Sequence, residues 1–263
     1  ATASRGFESA SASIIQFGLG NIIKIDTLQI IWPDDRTEIL VNVLTNQRLI
    51  VRQANAAGGK KFLLPDTAGA TLFRSCPNDF FISYQHRENN FVDFNQQQLI
   101  PHEVSTQGPK IAVADINDDG LDDFFVCGAK GQPGKIFQQT KGGKFFSTNE
   151  ALMNNDSISE DVNAIFFDAD GDGDQDLYVV TGGNEYEGKN LFLCDRLYFN
   201  DGKGNFTKST NLPVFYGNKS VAVAADFDKD GDMDLFVGGR VVAGKYGESP
   251  ISYLLINNGK GVF

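Results

Sequence analysis

The sequence has few of the residues from which disulfide frameworks and zinc sites are built. Its three cysteines, Cys76, Cys127 and Cys194, are scattered, so no pair has the spacing of a metal site. An odd count does not make a disulfide framework, although a single Cys76–Cys194 bridge stays open. Cys127 lies in the alternating stretch "DDFFVCGA", which predicts a buried strand residue.

Long apolar runs and basic stripes are also missing. No apolar stretch approaches the roughly 20 residues of a membrane-spanning helix, and no run of Lys and Arg offers a nucleic-acid surface. No amphipathic helix stands out, apart from one possible turn in "SEDVNA" (159–164). The chain starts at Ala1 without a visible signal peptide and stops where a strand begins, so we expect it to be a piece of a longer protein.

The negative charge is concentrated in three short stretches. The chain has a formal net charge of −11, yet "DINDDGLDD" (115–123), "DADGDGDQD" (168–176) and "DFDKDGDMD" (226–234) hold fifteen aspartates and one basic residue, Lys229. Without them the rest of the chain would be slightly positive. Carboxylates this close repel one another, so the pattern indicates loops that need a counter-ion.

These stretches belong to an internal repeat. Asp115, Asp168 and Asp226 are 53 and 58 residues apart. A second signature, "TKGGKFF" (140–146), "NDGKGNF" (200–206) and "NNGKGVF" (257–263), starts at intervals of 60 and 57 residues and is typical of a hairpin turn. Two independent features with one period indicate a repeated structural unit.

Each unit reads as four short strands. Runs rich in Val and aromatic residues precede and follow each Asp stretch, a third run precedes each Gly-rich turn, and a fourth strand follows the turn. Four strands per repeat make a β-propeller blade, so the predicted fold class is all-β. A propeller closes with 4–8 blades, so three repeats predict part of a larger propeller. The three predicted runs of each unit are 110–114, 124–128 and 135–139; 163–167, 177–183 and 195–200; and 221–225, 235–240 and 252–257.

The Asp stretches predict calcium loops. Alternate carboxylates converge on one point only if the backbone curls, which the central glycine permits. Ca²⁺ takes 6–8 oxygen ligands and suits such a loop, whereas Mg²⁺ demands stricter geometry, so we expect about three structural Ca²⁺ ions. Side chains at positions 1, 3, 5 and 9 and the carbonyl at position 7 are the predicted ligands. They are Asp115, Asn117, Asp119, Leu121 and Asp123; Asp168, Asp170, Asp172, Asp174 and Asp176; and Asp226, Asp228, Asp230, Asp232 and Asp234.

An EF-hand begins in the same way but needs a glutamate at position 12. Position 12 is Val126, Val179 or Val237, each within a predicted strand, so the EF-hand is excluded.

The region before the repeats has a different character. Residues 1–54 predict a small β-domain with strands in 13–20, 24–33, 37–43 and 47–53, followed by a linker at 55–66 and the propeller repeats at 67–263. Residues 62–110 carry no Asp stretch. We expect them to supply an edge strand and an ordered loop for the first blade.

At these motifs the sequence resembles known families. The D-x-[DN]-x-D-G-x-x-D loops, followed by "FVCGA", "YVVTGG" and "FVGGR", resemble FG-GAP/VCBS repeats, the calcium-loop blades of integrin-α-like propellers. "FGLG" (17–20) and "IIWPDDR" (30–36) resemble the ASPIC/UnbV domain. Cartilage acidic protein and its bacterial relatives combine the two. The chain departs from the pattern at Gln16, where His is usual, and at Asp35, where Gly is usual.

Three functions are compatible with these features. The first is a non-catalytic, calcium-stabilised module that binds a protein or glycan. Its expected location is extracellular, periplasmic or on the cell surface, because constant millimolar calcium outside the cytoplasm suits three similar loops without switching helices. The second is a glycan lyase or hydrolase that uses a cluster within 84–103. The third is an adhesion or assembly role in which the N-terminal domain makes the contact through Trp32. The candidate catalytic residues are His86, Arg87, Glu88, Asp93, His102 and Glu103.

Overall fold

The computed structural model describes residues 15–58 and 79–263. The chain divides into two compact units, Ala1–Arg74 and Ser75–Phe263, and each is described here by itself. Antiparallel sheets dominate both units, which confirms the all-β class. The part of the chain that the structure describes contains no helix with the length and apolarity that a membrane crossing requires.

The first unit contains a three-stranded antiparallel sheet in the order β1-β2-β3. Its strands are β1 (Lys24–Ile31), β2 (Arg36–Leu44) and β3 (Ala57–Gly58). The turn between β1 and β2 is held by Asp34, whose carboxylate accepts hydrogen bonds from the backbone N–H and the Nε–H of Arg36. Asp35 follows with φ 63°, a left-handed conformation that aspartate tolerates. This backbone explains how Asp35 replaces the usual glycine.

Two strands predicted for this unit are wrong in the described residues. Residues 15–19 and 47–52 form no strand. An apolar run becomes a strand only where a neighbour pairs with it, and Ala57–Gly58 pair with Arg36 and Thr37 at the free edge of β2. Ile50 therefore remains 74% exposed. Residues 57–58 pair in this way although the sequence places them in the linker.

The second unit contains three antiparallel sheets, in which strands that are neighbours in sequence also pair. Sheet 1 contains β4 (Ile111–Ala114), β5 (Asp123–Val126), β6 (Lys135–Gln139) and β7 (Phe145–Thr148). Sheet 2 contains β8 (Asp161–Phe167), β9 (Asp176–Thr181), β10 (Arg196–Asn200) and β11 (Phe206–Lys208). Sheet 3 contains β12 (Asn218–Ala225), β13 (Asp234–Val241) and β14 (Tyr253–Leu255). The strands predicted on either side of each Asp stretch are confirmed.

Sheet 2 lies between the other two sheets and is buried on both faces. Ala164 and Phe166 of β8 pack in the core shared with sheet 1, whereas Ile165 and Phe167 pack in the core shared with sheet 3. All six residues of β9 are buried. This explains the unbroken apolar run "LYVV", because a strand covered on both faces need not alternate.

Two local predictions differ from the structure. The helical turn expected within 159–164 is absent, because Asp161 already pairs with Thr181 as the first residue of β8; the helix α1 lies earlier, at Glu150–Asn154. Cys127 is fully buried, as predicted, but it follows β5 instead of belonging to the strand. Cys127 and Cys194 are free thiols, while Cys76 lies outside the described residues.

The segment before sheet 1 is an ordered loop without a strand in residues 79–110. Its hydrogen bonds to sheet 1 and the adjoining loop include those from Phe145 N to the carbonyl of Phe80 and from the Tyr84 hydroxyl to the carbonyl of Cys127, both 2.9 Å. The predicted ordered loop is therefore present, but the predicted edge strand is not.

In sheets 2 and 3, an asparagine at or just after the third strand connects the Asp loop to the loop of the preceding sheet. Asn200 Nδ2 donates to the carbonyl of Gln175 in its own sheet and to the carbonyl of Ile116 in the loop of sheet 1. Asn257 does the same in sheet 3, to Met233 and to Ala169 of sheet 2. The two repeated sequence signatures are therefore physically joined across the sheet boundaries.

Backbone hydrogen bonds from the end of the third strand to the position-9 aspartate correct the register of the repeat. Gln139 N donates to Asp123, as Asn200 N donates to Asp176 and Asn257 N to Asp234. The counterpart of the two asparagines in the first turn is therefore Gln139, one residue before the sequence alignment placed it.

We expect Asn200→Ala to lower the free energy of unfolding by about 1–3 kcal/mol, because two buried carbonyl groups lose their donor. Asn211→Ala is the matched control, since Asn211 is exposed and its side chain makes no hydrogen bond among the described residues. Denaturant unfolding of both variants measures the difference. Equal stability of the two variants would contradict the connecting role.

Candidate metal centres

The three Asp loops curl through the glycine at position 6. Gly120, Gly173 and Gly231 have φ values of 81°, 93° and 101°, a region that side chains disfavour. Each glycine N–H donates to the carboxylate at position 1, over 2.7 Å in the first loop, 3.0 Å in the second and 3.3 Å in the third. This bond folds each loop back on its first residue.

In two loops the curl brings three carboxylates together. Asp168, Asp170 and Asp176 each place one oxygen so that all three atoms lie within 4.8 Å of one another. Asp226, Asp228 and Asp234 do the same. Positions 1, 3 and 9 converge in both loops, whereas the position-5 aspartates Asp172 and Asp230 do not belong to these groups.

These carboxylate groups fit a hard divalent cation. Two oxygens that each lie 2.3–2.6 Å from a shared Ca²⁺ are separated by at most about 5 Å, which the observed spacing satisfies. Burial, together with the neighbouring Asp170 and Asp172 carboxylates, raises the pKa of Asp176 to about 7. A bound cation would offset this crowding of negative charge. Such an ion would be held by carboxylates at positions 1, 3 and 9.

The first loop offers a similar cradle with one charge fewer. Asn117 occupies position 3, so an amide oxygen stands where the other loops have a carboxylate. The loop shares with the others the bonds from the N–H at position 6 to the carboxylate at position 1 and from the N–H at position 7 to the carboxylate at position 5. Because fewer charged ligands give weaker binding, this loop is expected to hold calcium least tightly.

The aspartate at position 9 also supports the fold. Asp123, Asp176 and Asp234 are almost fully buried, with exposures of 0%, 0% and 1%. Each carboxylate accepts one hydrogen bond from the N–H at position 2 of its loop and one from the third strand. Position 9 therefore closes the loop and ties it to the sheet.

Positions 5 and 7 have roles within the loops. Asp119, Asp172 and Asp230 each accept a hydrogen bond from the backbone N–H at position 7. The side chains of Asp174 and Asp232 lie against Gly202 and Gly259 of the neighbouring hairpin turns, where a Cβ atom would collide with them. Metal binding by the position-5 carboxylates and by the position-7 carbonyls stays a prediction.

Position 12 carries no ligand. Val126, Val179 and Val237 are buried strand residues with exposures of 5%, 1% and 0%. Their burial is as expected for a loop that is not an EF-hand.

The candidate catalytic residues of the 84–103 region do not form one cluster. His86 Nε2 lies 2.7 Å from Glu88 Oε1. Asp93 is fully buried and accepts bonds from Val104 N, from Ser105 N and Oγ, and from Asn184 Nδ2. His102 instead packs edge-on against Tyr246, with ring centroids 6.2 Å apart. Asp93 is therefore occupied in joining this segment to the loop after β9.

The structure reveals one titratable residue that sequence reasoning missed. Glu160 is 5% exposed, one of its oxygens accepts a hydrogen bond from Lys130 N, and the other has no partner. Burial raises its pKa to about 8, and the nearby carboxylates of Glu88, Asp161 and Glu185 contribute. No local pattern marks Glu160, because its burial comes from loops distant in sequence.

Comparison with protein families matches both parts of the chain. The model described as ASPIC and UnbV matches residues 1–58. The model described as FG-GAP-like repeat matches twice, over residues 115–179 and 168–237. Each of these matches begins at the first aspartate of a loop and ends in the second strand of the next sheet. Comparison with curated proteins gives no match.

We expect stability to fall as pH rises from about 4.5 to 8 through the contribution of Glu160. In this window the folded state keeps the proton that the unfolded state releases, so the free energy of unfolding decreases by up to about 1.4 kcal/mol per pH unit. Glu160→Gln removes this contribution. Denaturant unfolding of the variant and the parent in excess calcium across this range measures the difference, with exposed Glu103→Gln as control. A parent–variant difference that does not change with pH would contradict the assignment.

Proposed function

Because the chain belongs to the FG-GAP repeat proteins and carries an ASPIC/UnbV domain, we propose that it is a non-catalytic, calcium-stabilised module that binds a protein or glycan outside the cytoplasm. The family places it among β-propeller-type binding or scaffold modules. Calcium, location and ligand class are the parts that we add.

The convergence of carboxylates in two loops carries the proposal. Asp168, Asp170 and Asp176 meet at the end of β8, and their equivalents meet at the end of β12. Without a cation, these like charges oppose the folded loop; with a cation, they become ligands. The ion would therefore stabilise the connection between the first two strands of a sheet, and through Asn200 and Asn257 the contact with the preceding sheet.

The form of the loops supports a location with constant calcium. Each loop joins two strands that are already paired along their length, so no helix pair is available to open on binding. Sites that stay filled rather than switch suit extracellular calcium, where affinities of about 10⁻⁴–10⁻³ M suffice.

A glycan-active enzyme is the second candidate, favoured by the His86–Glu88 pair, whose atoms lie 2.7 Å apart. This candidate is weakened because Asp93 is not available for catalysis: it is buried, and its carboxylate accepts four hydrogen bonds. A screen for release of reducing ends or unsaturated products from glycans, with His86→Ala as control, separates the two functions. Turnover that depends on His86 would replace the proposal of a non-catalytic module.

We expect calcium to raise the melting temperature, since about 2 mM calcium at dissociation constants of about 10⁻⁴–10⁻³ M adds about 0.7–1.8 kcal/mol per site. Melts in about 2 mM calcium and in excess chelator, with metal analysis of the purified chain, measure this effect. Asp170→Asn removes one ligand charge from the second loop and should weaken calcium binding there about tenfold or more.

Asp170 is a sharper test than Asp176, because loss of the Asp176 carboxylate also breaks hydrogen bonds that hold the sheet. Asp122→Asn is the matched control, since Asp122 is exposed and lies outside the ligand positions. Melting temperatures that do not respond to calcium, or equal calcium titrations for Asp170→Asn and Asp122→Asn, would overturn the proposed metal centres.

A further inference from the structure

The second unit has an open groove between the loop after β5 and the segment that precedes sheet 1. The groove has a volume of about 1160 Å³, above the roughly 300–1,000 Å³ of a pocket for a small ligand. This size suits several units of a chain-like ligand rather than one small molecule. Its lining includes Phe81, Tyr84, Arg87, Glu88, Gln132 and Lys135.

The groove holds two cations without partners. Among the described residues, the side chains of Arg87 and Lys135 make no ion pair and no hydrogen bond, whereas Lys130 nearby is paired with Glu185. Glu88, the carboxylate in the lining, is itself paired with His86. Two unpaired cations therefore lie in one concave surface, beside a single carboxylate that already has a partner. They favour an anionic ligand.

Arg87 is placed in the groove by a specific contact. The Gln132 side chain accepts a hydrogen bond from Arg87 N at 2.7 Å and donates one to the carbonyl of Gln85 at 2.8 Å. Gln132 lies in a tight loop closed by the bridge between Ala129 and Gln132. The Gln132 amide thus holds the backbone on both sides of His86 and thereby fixes the backbone position of Arg87.

The remaining lining is suited to sugars. Ser83, Gln85 and Asn89 present groups that both donate and accept hydrogen bonds, which hydroxyl-rich ligands require. The Tyr84 ring adds an apolar surface, whereas the Phe81 ring carries Lys144 Nζ over one face, 4.3 Å from its centroid. An acidic peptide would also satisfy the cations, so the binding test includes one as the competing ligand.

We propose that this groove binds an anionic glycan, with Arg87 and Lys135 contacting its carboxylate or sulfate groups and Gln132 acting as a positioning residue. Arginine favours the planar carboxylate, which it can bind through two parallel hydrogen bonds, so uronate units are the expected ligand. This assignment rests on the proposed binding function and names its ligand class.

The test measures calorimetric binding of a hyaluronan hexasaccharide to the full chain in calcium buffer. The probe carries carboxylates but no sulfate; a chondroitin sulfate hexasaccharide and a neutral cello-oligosaccharide are compared with it. We expect the anionic probes to bind, the neutral one to bind much more weakly, and added salt to reduce the affinity. Tighter binding of the sulfated probe would keep the anionic class and assign sulfate as its source.

Variants locate the binding site. Arg87→Ala with Lys135→Ala should lower the affinity for hyaluronan at least about tenfold. The control, Lys141→Ala with Lys260→Ala, removes the same charge from exposed lysines outside the groove and should leave the affinity unchanged. Arg87→Lys, which keeps the charge but loses the paired hydrogen bonds, should bind with intermediate affinity.

Two results would overturn the inference: no binding of either anionic glycan, or tighter binding of a hexaglutamate peptide through Arg87 and Lys135, which would assign the groove to acidic peptides. The calcium melt of the same sample separates this failure from that of the proposed function. If calcium stabilises the chain but no glycan binds, only the proposed glycan groove is contradicted. If calcium has no effect either, the proposed metal centres are contradicted as well.

Discussion

The arrangement of the second unit depends on the hydrogen bonds between a buried aspartate and the end of the third strand. In each sheet the position-9 aspartate accepts one N–H from its own loop and one from Gln139, Asn200 or Asn257. Buried carboxylates are costly unless they are satisfied, and here each has two backbone donors. In sheets 2 and 3 the asparagine side chain extends the connection to the loop of the preceding sheet. In sheets 2 and 3, loop shape, strand pairing and sheet packing are thus coupled through two residues, the position-9 aspartate and the asparagine.

This coupling gives the charged loops a structural role. A cation held by positions 1, 3 and 9 would lie against the carboxylate that closes the loop, so metal binding and sheet packing would stabilise each other.

The opposite ends of the strands carry a different set of buried charged residues. There Glu160, Asp161 and Arg196 are buried, and Arg196 is paired with Asp161. The proposed ligand groove lies near this end, since Lys130 joins its lining to Glu160 and Glu185. Separating the ion sites from the groove would let calcium stabilise the scaffold without occupying the ligand surface.

Much of the second unit could be predicted from local pattern. The alternation of aspartates, the glycine at position 6 and the Val-rich runs on either side depend on interactions between residues near in sequence, so the loops and their flanking strands are found where expected. Predictions failed where pairing partners decide the outcome. Residues 47–52 have strand-forming composition but pair with no strand in the described part of the chain, and residues 161–164 belong to β8, where Asp161 pairs with Thr181. The counterpart of Asn200 in the first turn, Gln139, was misplaced by one residue because only hydrogen bonding to Asp123 fixes that register.

The sequence by itself determined the repeat, the all-β class and the oxygen-rich loops, because each follows from the periodic spacing of a few residue types along a short stretch of chain. Tertiary structure alone decided which polar groups became buried and which cations stayed unpaired. Glu160 acquires its raised pKa from residues far away in sequence, and Arg87 shares a groove with Lys135 because contacts through Phe80, Tyr84 and Gln132 hold its segment beside sheet 1. Burial and charge pairing depend on the whole surrounding volume, and no local pattern encodes that volume.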